Sequence, residues 1–357
     1  MSCSSDDIFS RVLYVGPDRR SHGGIAYVVR TYEDAIGHIT YAPTTNHRSK
    51  ALGALRWAIT MAMLPIYRMR GYRIVHAHGS VRGSWPRKCL LLRWAECLGM
   101  HSVHHIHNGA LRKFFDRYGV DKARRQLAKA DAVVALSHEW ARYLHDEMGV
   151  EKVSVIENPV TPPTTQRVPL PGAPLRLLYL SGIDYTKGLF ELLEAIDRHR
   201  TELEGLIHLD IGGSGVDDAR MYDFLSTHNM SGFVTTHGWV AGEAKDRLLE
   251  HNDVFVLPSY AEGMPISLLE AMAAGLAVLS TPVGGIPEAV GRDKGGILVE
   301  PKSVEAIYDA ILHFLQNPQD IDTMGAYNRH KAQEYFPQQI VSKLEALYRT
   351  FDKSNAK

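Results

Sequence analysis

At 357 residues, with 45% hydrophobic and 22% charged side chains, the chain is too long for one ordinary core and has the composition of a globular protein of two domains. Three cysteines (Cys3, Cys89, Cys97) offer neither a disulfide framework nor metal-ligand spacing. No stretch reaches roughly 18 uninterrupted apolar residues and residues 1–11 show no signal-peptide pattern, so the reading is a cytoplasmic protein without a spanning helix.

The net charge of zero conceals an asymmetry. Residues 1–160 carry 23 Lys+Arg against 14 Asp+Glu, residues 161–357 carry 17 against 26, and between 35 and 95 there are ten basic side chains and no acidic one. Such an uneven half points to a polyanionic partner, either a membrane surface or a phosphorylated acceptor.

Short β-branched runs alternate with helix-length segments throughout, a pattern of parallel sheets covered on both faces. In the first half the predicted strands are 11–16, 38–42, 72–78, 101–107, 131–136 and 153–157. Predicted helices fall at 24–36, 49–70, 85–98, 114–129 and 138–148. The segment 51–67 is apolar on two stripes, Leu52, Leu55, Ile59, Ala62 and Ile66 on one, Ala54, Trp57, Met61 and Leu64 on the other. A helix apolar on both sides is either buried or meets lipid. Seventeen residues span only about 26 Å, too short to cross a bilayer. With Arg68, Arg70, Arg73, Trp85, Arg87, Lys88, Arg93 and Trp94 close in sequence, interfacial docking stands beside core packing as the two readings. No motif supports nucleic-acid binding.

Pro159, Pro162, Pro163, Pro169, Pro171 and Pro174 mark an interdomain linker, after which the alternation restarts. Strands are predicted at 175–181, 207–211, 233–236, 254–258, 277–280 and 297–299, with helices beginning near Gly188, Asp217, Glu243, Pro265 and Ser303. Two doubly wound halves, 1–160 and 161–337, would face a central cleft at the carboxyl ends of their strands. The proline at Phe336-Pro337 breaks the last helix, so 338–357 would return to complete the first domain.

The chemistry-bearing stretch runs from Pro258 to Gly275. Pro265 suits a first helical position and Gly275 the residue past the helix end. A helix starting there after a buried strand offers free N–H groups near Met264–Ser267, an anion site suited to a diphosphate. Glu262 just before it and Glu270 in its second turn are hydroxyl acceptors, suited to a sugar and a ribose.

This segment resembles the E-x7-E region of glycosyltransferase family 4, the retaining "group 1" enzymes of the GT-B fold. Gly16…Gly23-Gly24, Val75-His76-Ala77-His78, Ile156-Glu157-Asn158-Pro159-Val160, Lys187-Gly188, Ile211–Gly215, Gly238-Trp239-Val240 and Gly284–Glu288 follow in family order. The resemblance implies an α/β fold of two Rossmann-like domains, the first for acceptor and the second for nucleotide-sugar. It implies transfer of a hexose-type sugar from a nucleotide-diphosphate sugar to a glycan or lipid-linked acceptor, with no metal or other cofactor. By the same resemblance Glu262 would bind the donor sugar, Glu270 the ribose, and Lys187 the leaving diphosphate. Gly263, Met264, Pro265 and Ile266 would line hexose and phosphates, while Gly23, Gly24, Gly212, Gly213 and Gly238 would admit the donor. His107, at the end of a histidine-rich strand, would meet a sugar hydroxyl or the acceptor, with a structural role as the alternative.

His105 and His107 share one strand face, but no Asp, Glu or Cys accompanies them, which argues against a metal there. His76 and His78 read as structural. One departure stands out: the family's arginine five or six residues before the lysine is replaced by Gly182 or Ser181, leaving Arg19 or Arg20 as candidate substitutes. Two other readings follow, a GT-B sugar-nucleotide epimerase and a catalytically impaired sugar-nucleotide-binding homologue.

Overall fold

The structure is a computed structural model that describes residues 7–21, 23–81, 83–169, 172 and 174–354. Of the positions singled out above, Cys3 and Pro171 lie outside the described residues. The chain divides into two compact units, one formed by 1–159 with 336–357, the other by 160–335.

The first unit holds a parallel six-stranded sheet of β1 (Val12–Gly16), β2 (Thr40–Pro43), β3 (Ile74–Gly79), β4 (His101–Ile106), β5 (Ala132–Ala135) and β6 (Val153–Val155), ordered β2-β1-β3-β4-β5-β6. The second holds β7 (Leu175–Leu180), β8 (Ile207–Gly212), β9 (Val234–Gly238), β10 (Val254–Leu257), β11 (Ala277–Ser280) and β12 (Gly296–Leu298), ordered β12-β11-β10-β7-β8-β9. Both orders reverse direction once, the first between β1 and β3 and the second between β7 and β10. In open α/β sheets ligands bind outside the strand carboxyl ends at such a reversal. That rule selects the loops after β1 and β3 in one unit and after β7 and β10 in the other.

Every residue of β1, β3, β5, β10 and β11 is buried, and these runs are apolar without alternation apart from His76 and His78 of β3 and Ser280 of β11. In the first unit Trp85, Phe115, Leu127 and Leu144 pack one face of the core, and Leu13, Leu64, Val75 and Leu91 pack another. The predicted helix at 114–129 is two helices, Leu111–Tyr118 and Val120–Leu127. Gly119 between them has φ +100°, a left-handed backbone that no continuous helix tolerates. The helix predicted at 138–148 runs as His138–Arg142 and then widens into a π turn, Tyr143–Glu147. After the break at Phe336, the helix Pro337–Ser354 belongs to the first unit, where Tyr348 is fully buried. No helix among the described residues is long and apolar enough to cross a membrane.

Candidate functional site

In the second unit the two loops at the strand reversal are stitched together. After β7, the Asp184 carboxylate accepts from Thr186 N–H at 2.8 Å and shapes a single turn, Tyr185–Lys187. The Tyr260 N–H of the loop after β10 donates to the Thr186 carbonyl at 2.9 Å. Gly188 has φ +74°, and a Cβ there would overlap the Pro258 carbonyl oxygen, so only glycine lets the loops approach this closely. The outcome is that Lys187 Nζ lies 2.6 Å from Glu262 Oε1, with Ser259 Oγ donating to the same oxygen at 3.0 Å. The Glu262 side chain is only 11% exposed and that of Lys187 27%, so the pair is sheltered but reachable.

Pro265 stands one place earlier than the sequence pattern suggests. It occupies the cap, with ψ 126°, and the helix is Ile266–Ala274, closed by Gly275 at φ +89°. The first helical hydrogen bond runs from Leu269 N–H to the Pro265 carbonyl. The N–H groups lacking a partner inside the helix are therefore those of Ile266, Ser267 and Leu268, not Met264–Ser267. Gly263 is held by Gly285 N–H, which donates to its carbonyl at 2.7 Å, and Met264 is buried. Glu270, two turns in, pairs with Lys245 at 2.5 Å and is 12% exposed on its side chain. Burial pushes its carboxyl above the ordinary range, and Lys245 opposes that shift. Gly212 and Gly213 end β8, and Gly213 N–H donates to the Gly238 carbonyl at 2.6 Å, so these three glycines form one adjacent turn system.

The structure thus gathers Lys187, Glu262, Gly263, Met264, Pro265 and Ile266 at one helix start, with Glu270 further along that helix. Lys245, from the separate helix Glu243–His251, escaped the sequence reading because nothing local links it to Glu270. Two more cations lie near the same loops: Lys302 stands 4.9 Å over the Tyr260 ring and Arg220 stands 4.0 Å over that of Phe190. At the position of the family arginine, Gly182 presents no side chain. Arg19, one proposed substitute, is paired with Glu33 and stacked over Tyr41.

The remaining predicted residues lie in the first unit. Gly23 caps and Gly24 begins the helix Gly24–Ile36, and no described protein atom lies within 4 Å of a Cβ placed on Gly23. His107 follows β4; its N–H donates to the Gly79 carbonyl at 2.8 Å, and its Nε2 lies 2.9 Å from His78 Nδ1. Desolvation holds its imidazole down at about 3, against a hydrogen bond from Asn158. Lys88, grouped above with the surface basic residues, is instead buried at 3% exposure, and its Nζ donates to Thr44 Oγ1 at 2.8 Å. Desolvation, then the Arg87 charge, lowers its ammonium to about 7. It stands on the buried face of its helix with Trp85, Leu91, Leu92 and Ala95, at i−3, i+3, i+4 and i+7, a spacing from which its inward direction could have been read.

Two family profiles cover this arrangement end to end. "Glycosyltransferase Family 4" matches residues 15–162 and "Glycosyl transferases group 1" matches 163–331. The chain belongs to the family 4, group 1 glycosyltransferases. Among its relatives is a putative colanic acid biosynthesis glycosyltransferase, WcaL, of Escherichia coli K12, 29% identical over 60% of this chain. The match spans 55% of that relative, so the chain covers little more than half of its length. Sucrose-phosphate synthase from Thermosynechococcus elongatus has the same fold at TM-score 0.81 and 19% identity, covering 96% of this chain and all of that one. HepE of Anabaena, in complex with UDP-glucose, aligns at TM-score 0.76 and 16% identity over 96% of this chain and 99% of that one. The fold of this group 1 glycosyltransferase is accordingly GT-B, two doubly wound α/β units.

Proposed function

We propose that this glycosyltransferase moves a hexose-type sugar from a nucleotide-diphosphate sugar to a hydroxyl of a glycan or lipid-linked acceptor, with retention and without a metal. The observation that carries this reading is the Lys187–Glu262 pair at the open start of the Ile266–Ala274 helix. As the glycosidic bond breaks, negative charge builds on the departing diphosphate. A fixed ammonium and a row of helix N–H groups stabilise that charge where it develops. Glu262, freed from Lys187 by the arriving phosphate, accepts hydrogen bonds from the sugar hydroxyls, and Glu270 does the same for the ribose. The complex of HepE with UDP-glucose supports a nucleotide-sugar as the donor class, and the name of WcaL supports a place in polysaccharide assembly.

The test is transfer by Lys187→Ala and Glu262→Ala with UDP-, GDP- and ADP-sugars over an acceptor panel. Loss of about 10²- to 10³-fold in turnover with the fold intact is expected; wild-type turnover in both variants overturns the reading. Gly182, with Arg19 already engaged, favours one second reading, a binder that no longer transfers. Tight nucleotide-sugar binding with no transfer by the wild-type chain would select it. A new sugar isomer formed from the donor alone would instead select an epimerase.

We further propose peripheral attachment to the cytoplasmic face of an anionic membrane through the helix Lys50–Met69. Its stripe Leu52, Leu55, Ile59, Ala62, Ile66 is exposed, Leu55 by 55% and Ile59 by 52%, whereas Leu64 of the other stripe is buried. Leu90 and Trp94 of the next helix are exposed too, and Trp94 Nε1 donates to the Met61 carbonyl at 3.1 Å, joining the two apolar surfaces. Lipid with acidic headgroups fits a patch this apolar in a segment with no acidic side chain from 35 to 95. Co-sedimentation with phosphatidylglycerol vesicles, and none with phosphatidylcholine vesicles, is the expected outcome; no binding to either overturns it.

A further inference from the structure

The register of β3 and β4 builds a block of imidazoles that neither strand announces alone. His78 and His105 are direct Cα partners, and His76 faces Val103 one step earlier in the pleat. His76, His78, His105 and His107 therefore stand on one sheet face, two per strand. His76, His78 and His105 have no solvent exposure. Their ring centroids lie 4.6 Å apart for His76–His78, 4.9 Å for His78–His105 and 5.2 Å for His76–His105. Each ring offers a nitrogen within 4.8 Å of those of the other two.

The hydrogen bonds fix which nitrogens carry lone pairs. Tyr348 donates its hydroxyl proton to the Tyr14 oxygen at 3.2 Å, so the His76 Nδ1 that touches Tyr348 at 2.5 Å is the donor of that pair. His76 Nε2 is then an acceptor, and His105 Nδ1 donates to it at 3.1 Å. His105 Nε2 and His78 Nε2 are both buried without a hydrogen-bond partner. Buried lone pairs are rarely left unmet.

We propose that His76, His78 and His105 bind one transition-metal ion of the zinc class, which ties β3 to β4 in the first unit. Three neutral imidazoles and no carboxylate suit zinc, cobalt, nickel or copper and do not suit magnesium or calcium, which take oxygen ligands. A tetrahedral ion held at about 2.0–2.1 Å needs nitrogens roughly 3.3 Å apart, so ring rotations closing up to about 1.5 Å complete the set. Tyr348 is the outer partner that orients His76, a recurrent feature of histidine metal ligands. His107, whose ring is 4.1 Å from that of His105, is the partly exposed member of the stack and marks the way in. The three histidines belong to the first unit, and the Lys187–Glu262 pair to the second. β4 alone carries too few ligands for a metal; the register with β3 adds His76 and His78.

The experiment uses the tag-free full chain, stripped with a chelator and dialysed against zinc in excess magnesium. About one zinc per chain is expected, together with a visible cobalt(II) spectrum of a nitrogen-ligated site. His78→Asn and His105→Asn are expected to weaken zinc by about tenfold or more. His104→Asn, equally buried on the opposite face against Trp85, is expected to leave affinity unchanged. Because buried variants risk misfolding, hydrogen exchange of the wild-type chain serves as the second measurement. Zinc should slow exchange in 74–79 and 101–106 and leave the second unit unaltered. Less than a tenth of an equivalent bound, equal loss in His104→Asn, or no local protection overturns the proposal.

Discussion

The two units share a sheet architecture and put opposite chemistry at their strand ends. In the second, Lys187 is paired with Glu262 and Lys245 with Glu270 beside the reversal between β7 and β10. In the first, the end of β3 beside its own reversal carries His76 and His78, and the neighbouring helix turns Lys88 inward, all of them desolvated. A reversal of strand order sets where a ligand is met; the residues on the loops decide what chemistry is met there. Paired side chains can be handed to an incoming ligand, whereas the fully buried imidazoles stay neutral at neutral pH.

The largest expected difference between the units is therefore in acid. Burial holds His76 and His104 at about 3 and His78 and His105 well below their ordinary value. Below about pH 6.5 the unfolded chain takes up protons that these folded rings refuse, so stability is full above that value and is lost as pH falls toward 3. Each imidazole contributes about 1.4 kcal/mol per pH unit across the window. The second unit has no fully buried histidine among its described residues. Hydrogen exchange at pH 7, 5.5 and 4.5 should find the first unit opening well before the second. Equal loss in both would break the comparison.

Lys88 pulls the other way and gives a smaller effect. Its folded pKa of about 7 lies below the model-peptide value of 10.5. From pH 7 to 10.5 the unfolded chain holds a proton that the folded chain has released, so this lysine makes stability rise with pH, again by about 1.4 kcal/mol per unit. Lys88→Met should flatten that slope and raise stability near pH 7. Denaturant titrations at pH 7, 8 and 9 check it; an unchanged slope means that Lys88 keeps its proton in the folded state.

Much of the frame was open to reading because it is local. All twelve strands stand at the predicted runs, and those buried on both faces, such as β5 and β10, are apolar along their whole length. The E-x7-E spacing and Gly275 place a helix start and stop within one residue, the error arising because Pro265 fits a cap as well as a first turn. What stayed hidden is what only tertiary register creates. Nothing near Glu270 in sequence announces Lys245, and a 2 × 2 histidine block exists only once β3 and β4 are in register. The membrane-or-core ambiguity of the segment 51–67 had the same origin. Both stripes are apolar, and packing chose the one through Leu64.

That choice yields the smallest and most selective effect. An exposed Leu or Ile half-covered by lipid contributes about 1 kcal/mol, so Leu55→Ser or Ile59→Ser should lower vesicle partitioning roughly fivefold. Neither side chain packs in the core, so stability should move by no more than about 0.5 kcal/mol. Arg70→Ser, on the exposed end of the same helix, should cost a similar factor at low salt and little at high salt, because headgroup attraction is screened. The second unit supplies the control, since Tyr222 is 51% exposed there and Tyr222→Ser should leave partitioning unchanged. If Tyr222→Ser matched Ile59→Ser, exposed apolar area alone would explain binding and the charge asymmetry between the units would be irrelevant to it. If only the first-unit variants respond, and Arg70→Ser responds only at low salt, then the basic surface and the apolar stripe act together on one lipid face.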